Sequence, residues 1–281
     1  MTNKASIRIF VWFMIIISML SLVNALPGAN IISQVRKFFV QNEYAPVITN
    51  VTSIPSMNPI DGNITYVYIN FTATDNNGVD DLNDSTAQII INYSTTQRFG
   101  NCTPNDINST TTIYVCNVSM WYYDESGTWD INVSVKDNTS RIGYNDTTSF
   151  VYNTLSAMRI NITELTFVNV FIRQPIGASN DPIVINNTGN VDFANISLSA
   201  YDLVGVNDSN YVIEADQFAG SVTDSYADVL ENNTFINITG ASLTHGPIAI
   251  EEIYVWVNLS YDVPAQIYNS SVHGNWIIMV E

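Results

Sequence analysis

Asp75, Asn77, Asp80 and Asp81 crowd around Gly78 in the stretch TDNNGVDDLND, residues 74 to 84. Carboxylate, amide and backbone carbonyl oxygens gathered in one loop are what a hard divalent cation takes, and calcium asks for six to eight of them. The spacing is not that of the twelve-residue EF-hand loop, so other segments must supply the remaining oxygens. The same residues also form turns without any ion, because Asn, Asp and Gly tolerate a left-handed backbone and bond their own chain.

The other reactive side chains are few. Cys102 and Cys116 are the only cysteines. An even count in an exported chain permits a disulfide. The ring of 15 residues that they would close contributes about 3 kcal/mol in the chain-entropy picture. His245 and His273 lie far from both cysteines, so a thiolate metal site has no imidazole nearby. The sequence contains no H-E-x-x-H, no G-x-S-x-G and no Gly-rich phosphate loop before a helix. Acids abound, but no pair stands out as the acid and base of a glycosidase. These features describe a non-enzyme with calcium as its one candidate cofactor. The 15 Tyr and 5 Trp read as core and cross-strand partners, and Trp121, Tyr122 and Tyr123 form the cluster that reads as a candidate binding patch.

A formal net charge of -17 excludes nucleic acid as a partner, because that binding needs a cationic face. The apolar fraction of 46% is enough for a folded core.

Asparagine carries a second chemistry. Asn-x-Ser/Thr triplets begin at Asn50, Asn63, Asn70, Asn83, Asn92, Asn101, Asn108, Asn117, Asn132, Asn138, Asn145, Asn161, Asn186, Asn195, Asn207, Asn232, Asn237, Asn258 and Asn269, which is 19 acceptor sites for N-linked glycan. Random placement of 35 Asn among 50 Ser and Thr gives roughly six such triplets. An AT-rich genome would inflate Lys along with Asn, and only 3 Lys are present. The flanking pattern agrees. In WDINVSV, Trp129, Ile131, Val133 and Val135 share one strand face and Asn132 takes the other. In IYVWVNLSY, Ile253, Val255, Val257, Leu259 and Tyr261 point one way and Asn258 the opposite way; in INFTA, Asn70 opposes Ile69, Phe71 and Ala73.

Positioning these groups requires strands. Period-two runs of five to nine residues alternate with Gly, Asn, Asp and Pro clusters along residues 45–281, the pattern of antiparallel sandwiches. Strands are expected near 46–53, 64–74, 87–93, 111–119, 128–136 and 147–153, and helical period appears only weakly, at Ile31 to Val40. The expected fold is all-β, with two tandem immunoglobulin-like antiparallel β-sandwiches at 45–155 and 156–281. At the N-terminus, Lys4 and Arg8 precede an apolar run from Ile9 to Val23 and a V-x-A exit at Ala25. That is a signal peptide over 1–25, followed by an extension over 26–44. The run is short of the 20 or so residues of a membrane span; left uncleaved, it becomes a single N-terminal anchor.

Two segments of the first module carry a family resemblance. YYDESGTWDINVSVKDN, residues 122 to 138, resembles the penultimate strand of PKD-like and related immunoglobulin-like domains, in which an aromatic, a turn and an aromatic lead into an alternating strand ending in Asp-Asn. FTATDNNGVDDL, residues 71 to 82, is similar to their second strand and the loop after it. In the second module, PIVINNTGN, the Asp202-Leu203-x-Gly205 segment and the Val263-Pro264 step resemble another surface module. The resemblance implies exported, extracellular, architectural modules and no chemistry. The triplet density is similar to that of archaeal surface glycoproteins such as S-layer components and appendage subunits. In such a sandwich the loops after the second and sixth strands share one end. That brings Asp137 and Asn138, and less directly Asp146, toward Asp75 and Asp80. The expected calcium ligands are therefore Asp75, Asn77, Asp80 and Asp137, with sugars on Asn83 and Asn138 competing for the same space.

The expected function is that of a secreted, heavily N-glycosylated structural protein of the cell surface, an S-layer or filament subunit whose partners are copies of itself or other envelope proteins. In a pilus-like version, Ile31 to Val40 fills a neighbour's open sheet. The alternative is an adhesin that binds a ligand with the loops at one sandwich end.

Overall fold

The computed structural model describes residues 42–108 and 110–281. The signal segment, most of the extension and the Ile31–Val40 stretch lie outside the described residues. The chain is all-β, its regular elements being strands and two short 3-10 turns among the described residues. No helix among them is long and apolar enough to cross a membrane.

Strands β1 (Val47–Val51), β2 (Ile64–Thr74), β3 (Leu82–Tyr93), β4 (Thr96–Ile107), β5 (Thr112–Trp121), β6 (Gly127–Asp137) and β7 (Ile142–Tyr152) form one antiparallel sheet in the order β1-β2-β5-β4-β3-β6-β7. Inward residues of β2 and β5 (Val67, Ile69, Phe71, Cys116, Val118, Met120) and of β3 and β6 (Ile89, Ile91, Trp129, Ile131, Val133, Val135) are all buried in a single cluster. A flat sheet would leave that face wet. The sheet therefore folds over at β4, and its two halves close on each other as the layers of a sandwich do. Phe71 stacks on Tyr114 at 4.8 Å, and the buried Trp129 donates its indole N–H to Glu125 O at 2.8 Å.

Periodicity predicts no strand over 96–107, yet β4 is there. Its residues are polar or exposed with the exception of Cys102, and Gly100 and Pro104 interrupt any apolar pattern. Ladder hydrogen bonds to β3 and β5 and the Cys102–Cys116 disulfide hold it. The two cysteines face each other directly across the β4–β5 pair, with Cα atoms 4.1 Å apart. Gly100 is required where it stands, because a Cβ would meet Asn117 O at 2.3 Å. Met57 covers the C-terminal end of the outer edge of β7, donating to Val151 O and accepting from Asn153 N–H, both at 2.8 Å.

A second core follows. Met158–Ile160, Ile176–Gly177, Ile183–Asn187, Phe218–Ser221, Asp228–Val229 and Ile250–Val257 make a six-stranded antiparallel sheet, and Ile196–Ser199, Phe235–Asn237 and Ile277–Val280 a three-stranded one. Ile185, Phe218, Ile253 and Val255 of the first pack with Ile196, Leu198, Ile236 and Ile278 of the second. Tyr261, expected inward with the Ile253 row, is half-buried. Terminal strands of both sheets run two to four residues, which leaves little open edge for unwanted pairing.

The two cores belong to one compact unit that begins at Glu43. Asn190, 4% exposed, joins them. Its Oδ1 accepts from Leu155 N–H at 2.6 Å, and its Nδ2 donates to Asp124 O and Asn153 O, each at 3.0 Å. Asp124 is itself buried and paired with the Arg98 guanidinium, with Nε to Oδ2 at 2.9 Å. His245 bridges the same seam, with Nε2 3.2 Å from Glu125 Oε1 and Nδ1 2.7 Å from Asp192 Oδ1. Burial alone would lower its pKa, but the hydrogen bond to Asp192 and the charge on Glu125 outweigh burial and raise it. Asp192 is lowered, chiefly by the His245 backbone and ring hydrogen bonds.

Two outcomes follow from this seam. Asn190→Ala strands three backbone groups and should cost about 1–3 kcal/mol in urea unfolding. The imidazolium contributes stability that is complete below the unfolded histidine pKa and is lost as pH rises through the raised folded value. Asp192 acts oppositely, losing its contribution as pH falls through its lowered value. The urea midpoint of the wild type should therefore drop as pH climbs past the ordinary histidine range, and His245→Gln should flatten that slope.

Candidate metal centre

The inward face of β2 runs Thr65, Val67, Ile69, Phe71, Ala73, and its next member is Asp75. The inward face of β6 runs Trp129, Ile131, Val133, Val135, and its last member is Asp137. Two strands on opposite halves of the sandwich thus carry their core-facing rows one step past the apolar residues and end in acids. Asp75 is 8% exposed and Asp137 1%. After Asp75 the chain turns at Gly78, whose φ of 106° and ψ of 158° suit glycine alone. The 3-10 turn Val79–Asp81 then leaves Asp80 exposed and Asp81 half-buried. Asn138 N–H fastens this turn to β6 by donating to Asp81 O at 2.8 Å. The segment before β1 crosses the same end, and Tyr44 N–H donates to Asn77 Oδ1 at 2.9 Å.

The result is a convergence of Glu43, Asp81 and Asp137, one carboxylate oxygen from each lying within 4.8 Å of the other two. Each contributes a buried oxygen that accepts no hydrogen bond: Glu43 Oε2, Asp81 Oδ2 and Asp137 Oδ2, with Asp75 Oδ2 in the same condition. The opposite oxygens of the two deepest acids are held by the protein. Asp137 Oδ1 accepts from Arg141 N–H at 2.7 Å and Thr139 Oγ1 at 2.9 Å, and Asp75 Oδ1 accepts from Asn77 N–H at 2.7 Å. Burial raises Asp75, as do the charges on Asp81 and Asp137. Burial also pushes Asp137 up, but the Arg141 and Thr139 hydrogen bonds prevail and its pKa is lowered.

The arrangement departs from the spacing-based set in two places. Asp75 and Asp137 meet at the expected end of the sandwich. Asp80 is turned to solvent and engages through its backbone carbonyl, which accepts from Asn138 Nδ2 at 3.1 Å; Asp81 takes the inner place. Asn77 gives its side-chain oxygen to the Tyr44 N–H and lies outside the converging carboxylates. Glu43 carries no sequence signal, since it precedes the first strand by four residues and has no acidic neighbour to mark it. Asp146 is exposed on β7. Trp121, Tyr122 and Tyr123 do pack together, with Trp121 stacked on Tyr123 at 5.8 Å, but they line the turn that Asp124 fastens through Trp121 N–H at 2.7 Å.

None of the 19 triplet asparagines is buried. Asn83, Asn92, Asn132, Asn145, Asn186 and Asn258 are half-buried and the rest exposed. The two fully enclosed asparagines, Asn187 and Asn190, do not begin triplets. Among the half-buried ones, Asn258 has its Oδ1 buried and unpartnered.

No family model matches the chain, and no curated protein matches it. Among solved structures it is similar to the CsuC–CsuE chaperone–tip adhesion subunit pre-assembly complex from archaic chaperone-usher Csu pili of Acinetobacter baumannii, at 9% identity over 84% of this chain and 100% of that one, with a TM-score of 0.41. A DUF4466 family protein from Parabacteroides merdae is 11% identical over 78% of this chain and 100% of that one, with a TM-score of 0.25. Neither likeness carries a functional argument.

Like charges packed this closely repel one another. In chelator at neutral pH, Asp75→Asn keeps the acceptor for Asn77 N–H and removes one charge. It should therefore raise the thermal unfolding midpoint, and the gain should disappear in acid, where the wild-type carboxyl is protonated anyway.

Proposed function

We propose that the chain is a non-catalytic structural glycoprotein of the cell envelope, exported and N-glycosylated, and assembled with copies of itself or with other envelope proteins as an S-layer or appendage subunit of archaeal type. Residues 1–25 act as the export signal, 26–44 as a connector, and 45–155 and 156–281 as tandem load-bearing modules. The observation that carries the reading is the placement of the 19 acceptor asparagines, which leaves every one of them outside the two cores. The Cys102–Cys116 disulfide supports it, since such bonds persist in oxidising compartments. Short terminal strands in the second core and the Met57 cover on the end of β7 favour assembly through faces and loops over donation of Ile31–Val40 to a neighbouring sheet.

One observation favours the adhesin reading. Val168, Phe171 and Ile172 stand exposed in one segment, beside a depression lined by Asn169, Gln174, Pro175 and Ile176.

Intact-mass measurement of protein purified from its native source tests the sugar, and electron microscopy of whole cells tests the assembly. The expected result is mass well above the processed polypeptide, removable by N-glycan release, on material that forms ordered arrays or fibres. A bare polypeptide mass would overturn the reading.

A further inference from the structure

We propose that Glu43, Asp81 and Asp137, with Asp75 beside them, bind one calcium ion that fastens the segment entering the first sandwich to the end of that sandwich. The inference stands on this geometry and does not depend on the envelope reading.

Three separate pieces of chain supply the converging oxygens: the segment before β1, the Val79–Asp81 turn and the last residue of β6. Proximity of acids alone would be weak grounds, since exposed acids often cluster on a surface. Here Asp137 is 1% exposed and Asp75 8%, and each has an oxygen sealed from solvent with no hydrogen-bond donor. Buried polar atoms in folded proteins are almost always partnered, and a buried carboxylate oxygen without a donor is costly. A cation placed between them satisfies several such oxygens at once and offsets the repulsion of their charges as well.

The donor set selects the cation. All the converging atoms are carboxylate oxygens, with no imidazole or thiolate among them, which disfavours zinc and other softer metals. Magnesium demands a near-ideal octahedron, whereas calcium accepts irregular shells of six to eight oxygens. Carboxylates drawn from three unconnected segments, completed by solvent, suit the second. Glu43 gives the ion its structural effect. It is the first residue of the compact unit and joins the sandwich near Tyr44, whose N–H already bonds Asn77. Coordination adds an electrostatic fastening at the point where the chain enters, linking residues 94 positions apart in sequence, Glu43 and Asp137.

The test uses the full chain, freed of metal with chelator and titrated with calcium chloride in a calorimeter, with magnesium chloride as the parallel titrant. The expected result is one saturable calcium site per chain with a dissociation constant of about 1 mM or below. Magnesium should bind at least tenfold more weakly. Asp81→Asn and Asp137→Asn should each weaken calcium at least tenfold, and Asp80→Asn should bind as the wild type does. Circular dichroism and the midpoint in chelator report that each variant is folded. Limited proteolysis reads the fastening: calcium should slow cleavage around residues 42–46 in the wild type and fail to do so in Glu43→Gln. The proposal is overturned by an absence of saturable calcium binding to the wild type, by binding that folded Asp81→Asn and Asp137→Asn retain, or by a loss in Asp80→Asn equal to theirs.

Discussion

A strand offers its side chains two directions and no third, and successive residues must alternate between them. Here that alternation places nearly every group with chemical potential. One parity of β6 fills the core with Trp129, Ile131, Val133 and Val135 and then delivers Asp137 to the closed end. The same parity of β2 delivers Asp75. The opposite parity carries Asn70, Asn117 and Asn132 away from the core. A slip of one residue in any of these strands would bury the triplet asparagines and expel the apolar row together. Register is therefore fixed by the core, and the acidic end and the amide coat inherit their positions from it.

Against that background, the treatment of buried polar groups divides the molecule. At the seam between the cores, the two enclosed side chains Asn190 and Asp124 are fully engaged. Asn190 uses both its oxygen and its amide hydrogens, and Asp124 holds Arg98 and Trp121 N–H together. In the second core, Asp181 accepts from Ala178 N–H and Val255 N–H, yet burial still lifts its pKa to about 6 and leaves its other oxygen unpartnered. The acidic end of the first sandwich is the extreme case, where four acidic side chains keep unpartnered oxygens close together. A chain able to satisfy Asn190 so completely elsewhere has this crowding built into its strand ends, and the crowding follows from geometry that also makes the core.

What could be read in advance divides along the same physical line. β2, with its alternation of wide amplitude, emerges with the bounds that its pattern implies, and β6 extends the expected strand by one residue at each end. The strand β4 left no trace in periodicity because it has one buried side chain, and its neighbours hold it through backbone bonds that sequence does not display. β3 begins at Leu82, ahead of the period-two run from Ala87, because the polar residues Asn83 to Thr86 break the alternation where the register shifts. At the acidic end, the loop composition and the shared sandwich end pointed to Asp75 and Asp137, and the structure brings the two carboxylates near each other. The choice between Asp80 and Asp81 turned on a single 3-10 turn, and Glu43 could be found only in three dimensions, since nothing local ties it to residues that follow it by thirty or more positions.

The disulfide has a consequence beyond holding β4 in place. Cys102 and Cys116 sit opposite each other on adjacent strands, so a covalent shortcut bypasses the 14 steps of chain between them. If tension ran along the polypeptide and peeled the sandwich open, the β4–β5 hairpin would remain a closed loop. The contour length released would be shorter by roughly 50 Å, at about 3.5 Å per residue. The half of β4 from Cys102 to Ile107, in the strand with least core to retain it, is thus a part that a pulled chain does not have to surrender.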